Sequence, residues 1–356
     1  MKKHNLLKFT LLTGATLALS SVLIISCNDE KKSFEIDLTD VKEQYKADET
    51  VSLVIANPKN DAIDSVAYTA NGKRIGSVKG NAKFEFNLQG SKFGYQEIKA
   101  MVYTDGDSSE ATARIEVVSS VKTQLVNFEV VNTYPHDTES YTQGLEFYRD
   151  TLFEGTGQYG KSTLRKNNYK TGEAYKRISL DGKYFGEGVT IFNNKVYQLT
   201  WKEGTGFIYN PDNLQKEKDF AYFKDVQGWG LTHDDKYLYM SDGSEKIYKL
   251  DPVTLKEVDY INVYTGGTKV KSVNELEWID GKIYGNIYQE NAIAIIDPAT
   301  GAVEGVMNMT SLSDQVKNPS RDVLNGIAYN PKTKTIFITG KNWDKMFEVK
   351  IKNSFQ

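Results

Sequence analysis

Gln143-Gly144-Leu145, Glu187-Gly188-Val189, Trp229-Gly230-Leu231, Asn274-Glu275-Leu276 and Asn325-Gly326-Ile327 decide the fold of this chain. Each triplet sets a polar or aromatic residue before a small or acidic one and then an aliphatic one. A few residues later comes an aliphatic–aromatic pair: Leu152-Phe153, Val196-Tyr197, Leu238-Tyr239, Ile283-Tyr284 and Ile336-Phe337. Successive triplets start 44, 42, 45 and 51 residues apart. Short strands recurring every 40–50 residues or so are the signature of a β-propeller. Five copies predict five blades over residues 126–351. Turn residues separate strands within the blades, as at Asn193-Asn194, Asp234-Asp235, Asp280-Gly281 and Asn330-Pro331-Lys332. The segment Phe128–Thr133 precedes the first copy and is expected to join the last blade, which would cover an open sheet edge.

The rest of the chain agrees with an all-β fold. Tyr and Phe are abundant, at 22 and 16 residues, Pro is rare at 7, and no long stripe of helical period is visible after the N-terminus. Residues 34–118 alternate in short runs, as at Phe84, Phe86 and Leu88 or Ala113, Ile115 and Val117. With turn chemistry at Asn71-Gly72 and Asp105-Gly106, they predict a small Ig-like β-sandwich preceding the five-bladed β-propeller. It serves either as a spacer or as a partner-binding module. Residues 119–123 form a linker.

Residues 1–27 read as a targeting segment. Lys2, Lys3 and Lys8 precede an apolar stretch, which ends in Leu23-Ile24-Ile25-Ser26-Cys27. This resembles a bacterial lipobox and implies a lipoprotein signal peptide, cleavage before Cys27 and lipidation of its sulfur. A plain transmembrane anchor is the alternative, though the run is short for a span. Residues 28–33 would be a polar tether. The expected location is the bacterial cell envelope, lipid-anchored to the membrane on its periplasmic or cell-surface side. Cys27 is the one cysteine of the chain, so the mature protein has no disulfide and no thiol nucleophile. Cleavage removes three basic and no acidic residues, leaving 41 basic against 47 acidic and a formal charge of −6. That balance speaks against a nucleic-acid partner. A monomer is expected.

In a propeller the first strand of each blade lines the central channel. Gln143, Glu187, Trp229, Asn274 and Asn325 therefore converge at one mouth. Five residues beyond the start of each aliphatic–aromatic pair lie Gly157, Trp201, Gly243, Tyr288 and Lys341. If the second strand runs antiparallel to the first, these form a second ring around the same mouth. The result would be an aromatic pocket holding one carboxylate, several amides and one ammonium, a composition suited to a small organic ligand. Each residue has a plainer alternative: a solvated loop Glu, turn-capping Asn or Gln, blade-packing Trp or Tyr, a surface Lys. Glu275 and Glu277 are read as structural. Only His136 and His233 remain after the targeting segment, too few for a typical zinc site without added carboxylates.

At these residues the chain resembles the plant and bacterial type of glutaminyl-peptide cyclotransferase. The resemblance spans about Val126 to Lys350, and the sandwich is expected to lie outside it. It rests on Tyr141-Thr142-Gln143-Gly144-Leu145, Phe185-Gly186-Glu187-Gly188, Gln198-Leu199-Thr200-Trp201, Gly228-Trp229-Gly230-Leu231, Asn274-Glu275-Leu276-Glu277, Tyr284-Gly285-Asn286-Ile287-Tyr288, Leu324-Asn325-Gly326-Ile327-Ala328 and Thr339-Gly340-Lys341-Asn342-Trp343. It implies a five-bladed propeller that converts N-terminal Gln of peptides or proteins to pyroglutamate with release of ammonia. It implies Glu187 as acid/base, Asn274 and Lys341 as polar catalytic partners, and Gln143, Trp201 and Trp229 in the substrate pocket. Tyr288 stands where many members carry Trp; Asn325 joins the pocket by its ring position. No metal and no cofactor are implied. Two other classes stay open. One is a metal-dependent, lactonase-like propeller hydrolase, with Glu187, Asn274 and Asn325 as oxygen ligands of Ca²⁺. The other is a non-enzymatic surface-binding propeller.

Overall fold

A computed structural model describes residues 33–352. The signal peptide expected at 1–27, Cys27 and the tether up to residue 32 lie outside the described residues. The described chain is all-β, with one short helix, Thr310–Ser313. None of its helices is long and apolar enough to cross a membrane.

Residues 33–118 form a five-stranded sheet and two small strand pairs. The sheet runs in the order Gln44–Lys46, Asp107–Val118, Gly94–Thr104, Ser65–Ala70, Lys73–Lys79. Glu35–Ile36 pairs with Ile55–Ala56, and Thr50–Leu53 with Phe84–Asn87. Period-2 alternation buries Val66, Tyr68, Ile98, Ala100, Val102 and Ile115 on one face. Tyr264 and Ala302, from far along the chain, complete this core. Tyr264 donates its hydroxyl to Glu116 Oε1 at 2.8 Å, and Asn262 Nδ2 donates to Phe93 O at 2.6 Å.

Five antiparallel sheets of four strands follow. Sheet one holds Thr142–Tyr148, Thr151–Thr156, Thr163–Asn168 and Glu173–Ser179; sheet two starts at Gly186–Phe192, sheet three at Leu231–His233, sheet four at Val273–Ile279 and sheet five at Leu324–Asn330. The outer strand of sheet five is Phe128–Pro135, which pairs antiparallel with Lys345–Ile351 and ties the start of this region to its end. Gln124–Leu125 adds a short parallel strand to sheet four. Two-residue hairpins within the sheets use left-handed residues, Asn193-Asn194 and Asp280-Gly281 among them.

The first strands touch in succession around a closed ring, and the first strand of sheet five contacts that of sheet one. Glycines allow this approach. A Cβ on Gly144 would stand 2.3 Å from Val189 N, on Gly188 2.5 Å from Trp229 O, and on Gly230 2.0 Å from Asn274 O. In sheets one to three the Gly of the repeat is thus the point where the innermost strand of one sheet meets the backbone of the next. Sheet four carries Glu275 there instead. Its buried carboxyl group accepts from Leu145 N–H at 3.3 Å and Ile327 N–H at 2.9 Å, in sheets one and five. Asn286 Oδ1 accepts from Gly326 N–H at 2.9 Å. Side chains, rather than glycine contact, close this seam.

Candidate active site

The residue opening four of the five repeats sits on a β-bulge. In sheets one, two, four and five the pairing between first and second strands slips at Gln143, Glu187-Gly188, Asn274-Glu275 and Asn325-Gly326. A bulge re-aims the side chain it carries. Three of these four side chains turn into one cavity at the ring's mouth. Its volume is about 580 Å³ including the open end, and Tyr141, Gln143, Phe185, Glu187, Trp201, Trp229, Asn274, Tyr288 and Lys341 line it.

The second strands deliver the outer ring. Gly157, Trp201, Tyr288 and Lys341 each donate their backbone N–H to the carbonyl two residues before a repeat start: Tyr141, Phe185, Ser272 and Val323. This bond fixes them beside the bulge of their own sheet. Two positions of this ring are glycine, and rings fill the space. A Cβ on Gly157 would stand 2.3 Å from the Phe185 ring, and one on Gly243 2.4 Å from that of Trp229. Five aromatic residues thus wall the cavity, with Phe185 5.5 Å from Trp201 and Trp229 5.6 Å from Tyr288 between centroids.

The polar groups are few and buried. Glu187 is 4% exposed, Lys341 3% and Asn274 2%. Gln143 Nε2 donates to Glu187 Oε1 at 3.0 Å, and no described residue donates to its Oε2. Burial pushes the Glu187 carboxyl well above the usual range; the Lys341 ammonium opposes this and the Glu203 carboxylate adds to it. Burial lowers the Lys341 ammonium, against the pull of Glu187 and Asp322. Lys341 Nζ lies 4.8 Å from the Tyr141 ring centre and 5.2 Å from that of Tyr288, a cation–π setting. The Asn274 side-chain oxygen is buried without a hydrogen-bond partner. An orphaned buried acceptor costs free energy until a ligand donates to it.

Asn325 is placed differently from the expectation that it contacts substrate. It lies outside the cavity lining, and its Nδ2 donates to Thr142 O at 2.9 Å and Gln143 Oε1 at 3.0 Å. It therefore orients the amide that orients Glu187. Tyr141 and Phe185 line the cavity and were not singled out by the ring positions. Their signal is an aromatic residue two places before the bulge. Both histidines are spent elsewhere. His136 Nε2 faces Glu154 Oε1 at 3.1 Å in a buried network, and His233 Nε2 lies 3.6 Å from Glu146 Oε1. Among the described residues no group of three or more His, Cys, Asp or Glu side chains is disposed to hold a metal ion.

A ring of sheets whose mouth holds an aromatic-walled cavity lined by one carboxyl and one ammonium has known relatives. The sequence model of the glutamine cyclotransferase family matches residues 100–351, and the chain belongs to that family. The match begins within the last strands of the N-terminal region, earlier than Val126. The glutaminyl-peptide cyclotransferase of Arabidopsis thaliana is 42% identical over 236 residues, covering 65% of this chain and 73% of the relative. The crystal structure of Myxococcus xanthus glutaminyl cyclase superposes with a TM-score of 0.60 at 35% identity, covering 65% of this chain and 98% of that one.

Proposed function

We infer that this protein is a glutaminyl-peptide cyclotransferase, acting on peptides or proteins with N-terminal Gln and releasing ammonia as pyroglutamate forms. The observation that carries this reading is a single desolvated carboxyl, Glu187, inside an aromatic cavity that also holds Lys341 and the unpartnered amide oxygen of Asn274.

The chemistry asks little beyond positioning. Nucleophile and electrophile belong to one residue, so the site must fold the Gln side chain back on its own amine. Trp201, Trp229 and Tyr288 form walls that do this and exclude water. The α-ammonium gives a proton to Glu187, whose Oε2 faces no protein donor, and the neutral amine attacks the γ-carbon. The γ-oxygen becomes negative, and the Lys341 ammonium is the cation that lines the cavity. Glu187 returns its proton to the γ-nitrogen, and the γ-oxygen re-forms its carbonyl as the C–N bond breaks and ammonia leaves. The freed carboxylate takes the second proton from the ring nitrogen and passes it to solvent, leaving a neutral lactam. A raised carboxyl pKa suits a group that must both accept and return a proton near neutral pH.

The rest of the assignment follows the same residues. Closed contact between first strands supports a five-bladed β-propeller, and the alternating buried strands of residues 34–118 support an Ig-like β-sandwich. The Leu23–Cys27 motif supports a lipoprotein held at the cell envelope through Cys27. A Ca²⁺-dependent hydrolase is less well supported, because Asn325 lies outside the cavity lining and Lys341 adds a cation there.

The test is incubation of the purified protein with a Gln-leading peptide and its N-acetylated twin, with and without EDTA. Ammonia release and the matching mass decrease are expected from the free peptide alone, in both buffers. No ammonia from the free peptide, or activity abolished by EDTA and restored by Ca²⁺, would overturn the reading.

A further inference from the structure

Gln227 lies two residues before the third repeat start, the position occupied by Tyr141 and Phe185 in sheets one and two. Sheet three is irregular here. Its first strand begins late, at Leu231, and the backbone bond that ties the outer ring in the other four sheets is replaced. Trp229 N–H turns to Ser241 O at 3.1 Å, and Gly228 N–H turns back to Trp201 O at 2.9 Å. A Cβ on Gly228 would strike Tyr222 and Thr200, so the chain passes tightly between sheets two and three. The half-buried side chain of Gln227 is thereby set between the two indoles. Its Oε1 accepts from Trp201 Nε1 at 2.7 Å and from Trp229 Nε1 at 3.0 Å.

We propose that Gln227 is a positioning residue for cyclisation, fixing both tryptophan walls of the cavity through one amide oxygen. An indole N–H is a donor only, and a carbonyl oxygen has two lone pairs, so a single acceptor can hold both rings. The two rings come from different sheets: Trp201 ends the second strand of sheet two and Trp229 precedes sheet three. The ring contacts of Trp201 are Phe185 and the Lys202 ammonium, 3.6 Å from its ring centre, and those of Trp229 are Gly243 and Tyr288; none of these joins the two indoles. The shared oxygen sets their distance from each other, and so the width available to a folded glutamine side chain. The proposal rests on the cyclotransferase reading for its kinetic consequence but not for its geometry.

The experiment compares native protein, Gln227→Met and Gln227→Glu by kinetics on a Gln-leading peptide and by NMR of the four tryptophan indole N–H groups. Gln227→Met keeps the length and removes the acceptor. It is expected to lower kcat/KM by roughly tenfold to a hundredfold, the scale on which small misplacements act. It should move the indole resonances of Trp201 and Trp229 while leaving those of Trp278 and Trp343 in place. Gln227→Glu keeps an oxygen acceptor and should recover most of the loss. In a Trp201→Phe/Trp229→Phe background, where neither ring carries N–H, Gln227→Met should add no more than about twofold. Unmoved resonances, unchanged kcat/KM, or an equal loss in that background would overturn the proposal. Absence of product with the native protein would sink the cyclotransferase reading instead, and the resonances would still decide whether Gln227 holds both rings.

Discussion

Gln143 reaches across from sheet one to sheet two and donates from Nε2 to Oε1 of Glu187 at 3.0 Å, while Asn325 of sheet five donates to the Gln143 oxygen. Three successive positions of the repeat are joined into one polar chain that ends on the buried carboxyl. Burial raises the pKa of that carboxyl, and two neighbours act on it in opposite directions, Lys341 lowering it and Glu203 raising it.

In the proposed mechanism the acid limb of kcat/KM reports the Glu187 carboxyl in the free enzyme. Protonated Glu187 cannot take the substrate's proton, so activity is lost as pH falls through its raised pKa. Lys341 favours the carboxylate, so Lys341→Met is expected to move the acid limb to higher pH. Glu203 disfavours it, so Glu203→Gln should move the limb to lower pH. A pH–rate profile of each variant measures the shifts. Limbs moving in the same direction would contradict the electrostatic assignment.

Gly243→Ala places a methyl where the Trp229 ring stands, in backbone with φ +78° that disfavours side chains. A loss of about tenfold or more in kcat/KM is expected from the displaced wall, together with strain on folding. Gly267→Ala, at an exposed glycine with open space around it, is the control. Equal kinetics for the two variants would show that the ring does not depend on Gly243.

Glu275 joins sheet four to sheets one and five by accepting two backbone N–H groups. Glu275→Gln keeps the size but turns a donor toward one of them. Destabilisation of about 1–3 kcal/mol is expected from the unsatisfied group, read from urea unfolding. A change below about 0.5 kcal/mol, the ordinary range for surface substitutions, would remove Glu275 from the ring-closing role.

The N-terminal region is packed onto the ring through Tyr264, which is 1% exposed. A fragment beginning near residue 120 uncovers this ring and strands the Asn262 donor. It is expected to be less stable than the longer chain by at least about 1.5 kcal/mol, the low end for uncovering a large side chain. Thermal unfolding of both proteins measures this. Equal stability would mean that the contact contributes nothing and the region is a free spacer.

The repeat made the site legible because two physical features underlie it. In sheets one, two, four and five a bulge re-aims the opening side chain, and in sheets one to three a glycine after that residue marks the close contact with the next sheet. The opening positions and the ends of the second strands place Gln143, Glu187, Asn274, Trp201, Trp229, Tyr288 and Lys341 around one mouth, and these residues line one cavity. Asn325 shares the bulge but its amide is drawn to Gln143, and strand spacing carries no record of that hydrogen bond. Gly157 and Gly243 read as gaps in the outer ring; they are seats for Phe185 and Trp229, whose rings arrive from other positions. Glu275 broke the pattern for a reason invisible along the chain, since its partners lie in sheets one and five. Gln227 was hidden because sheet three departs from the register of its neighbours.

The central claim is that Glu187 moves the proton. Glu187→Gln preserves the shape and the neighbouring Gln143 while removing the acid/base group. Ammonia release from a Gln-leading peptide, measured alongside circular dichroism, is expected to fall by roughly a hundredfold or more with the fold intact. Native turnover in that variant would contradict the assignment.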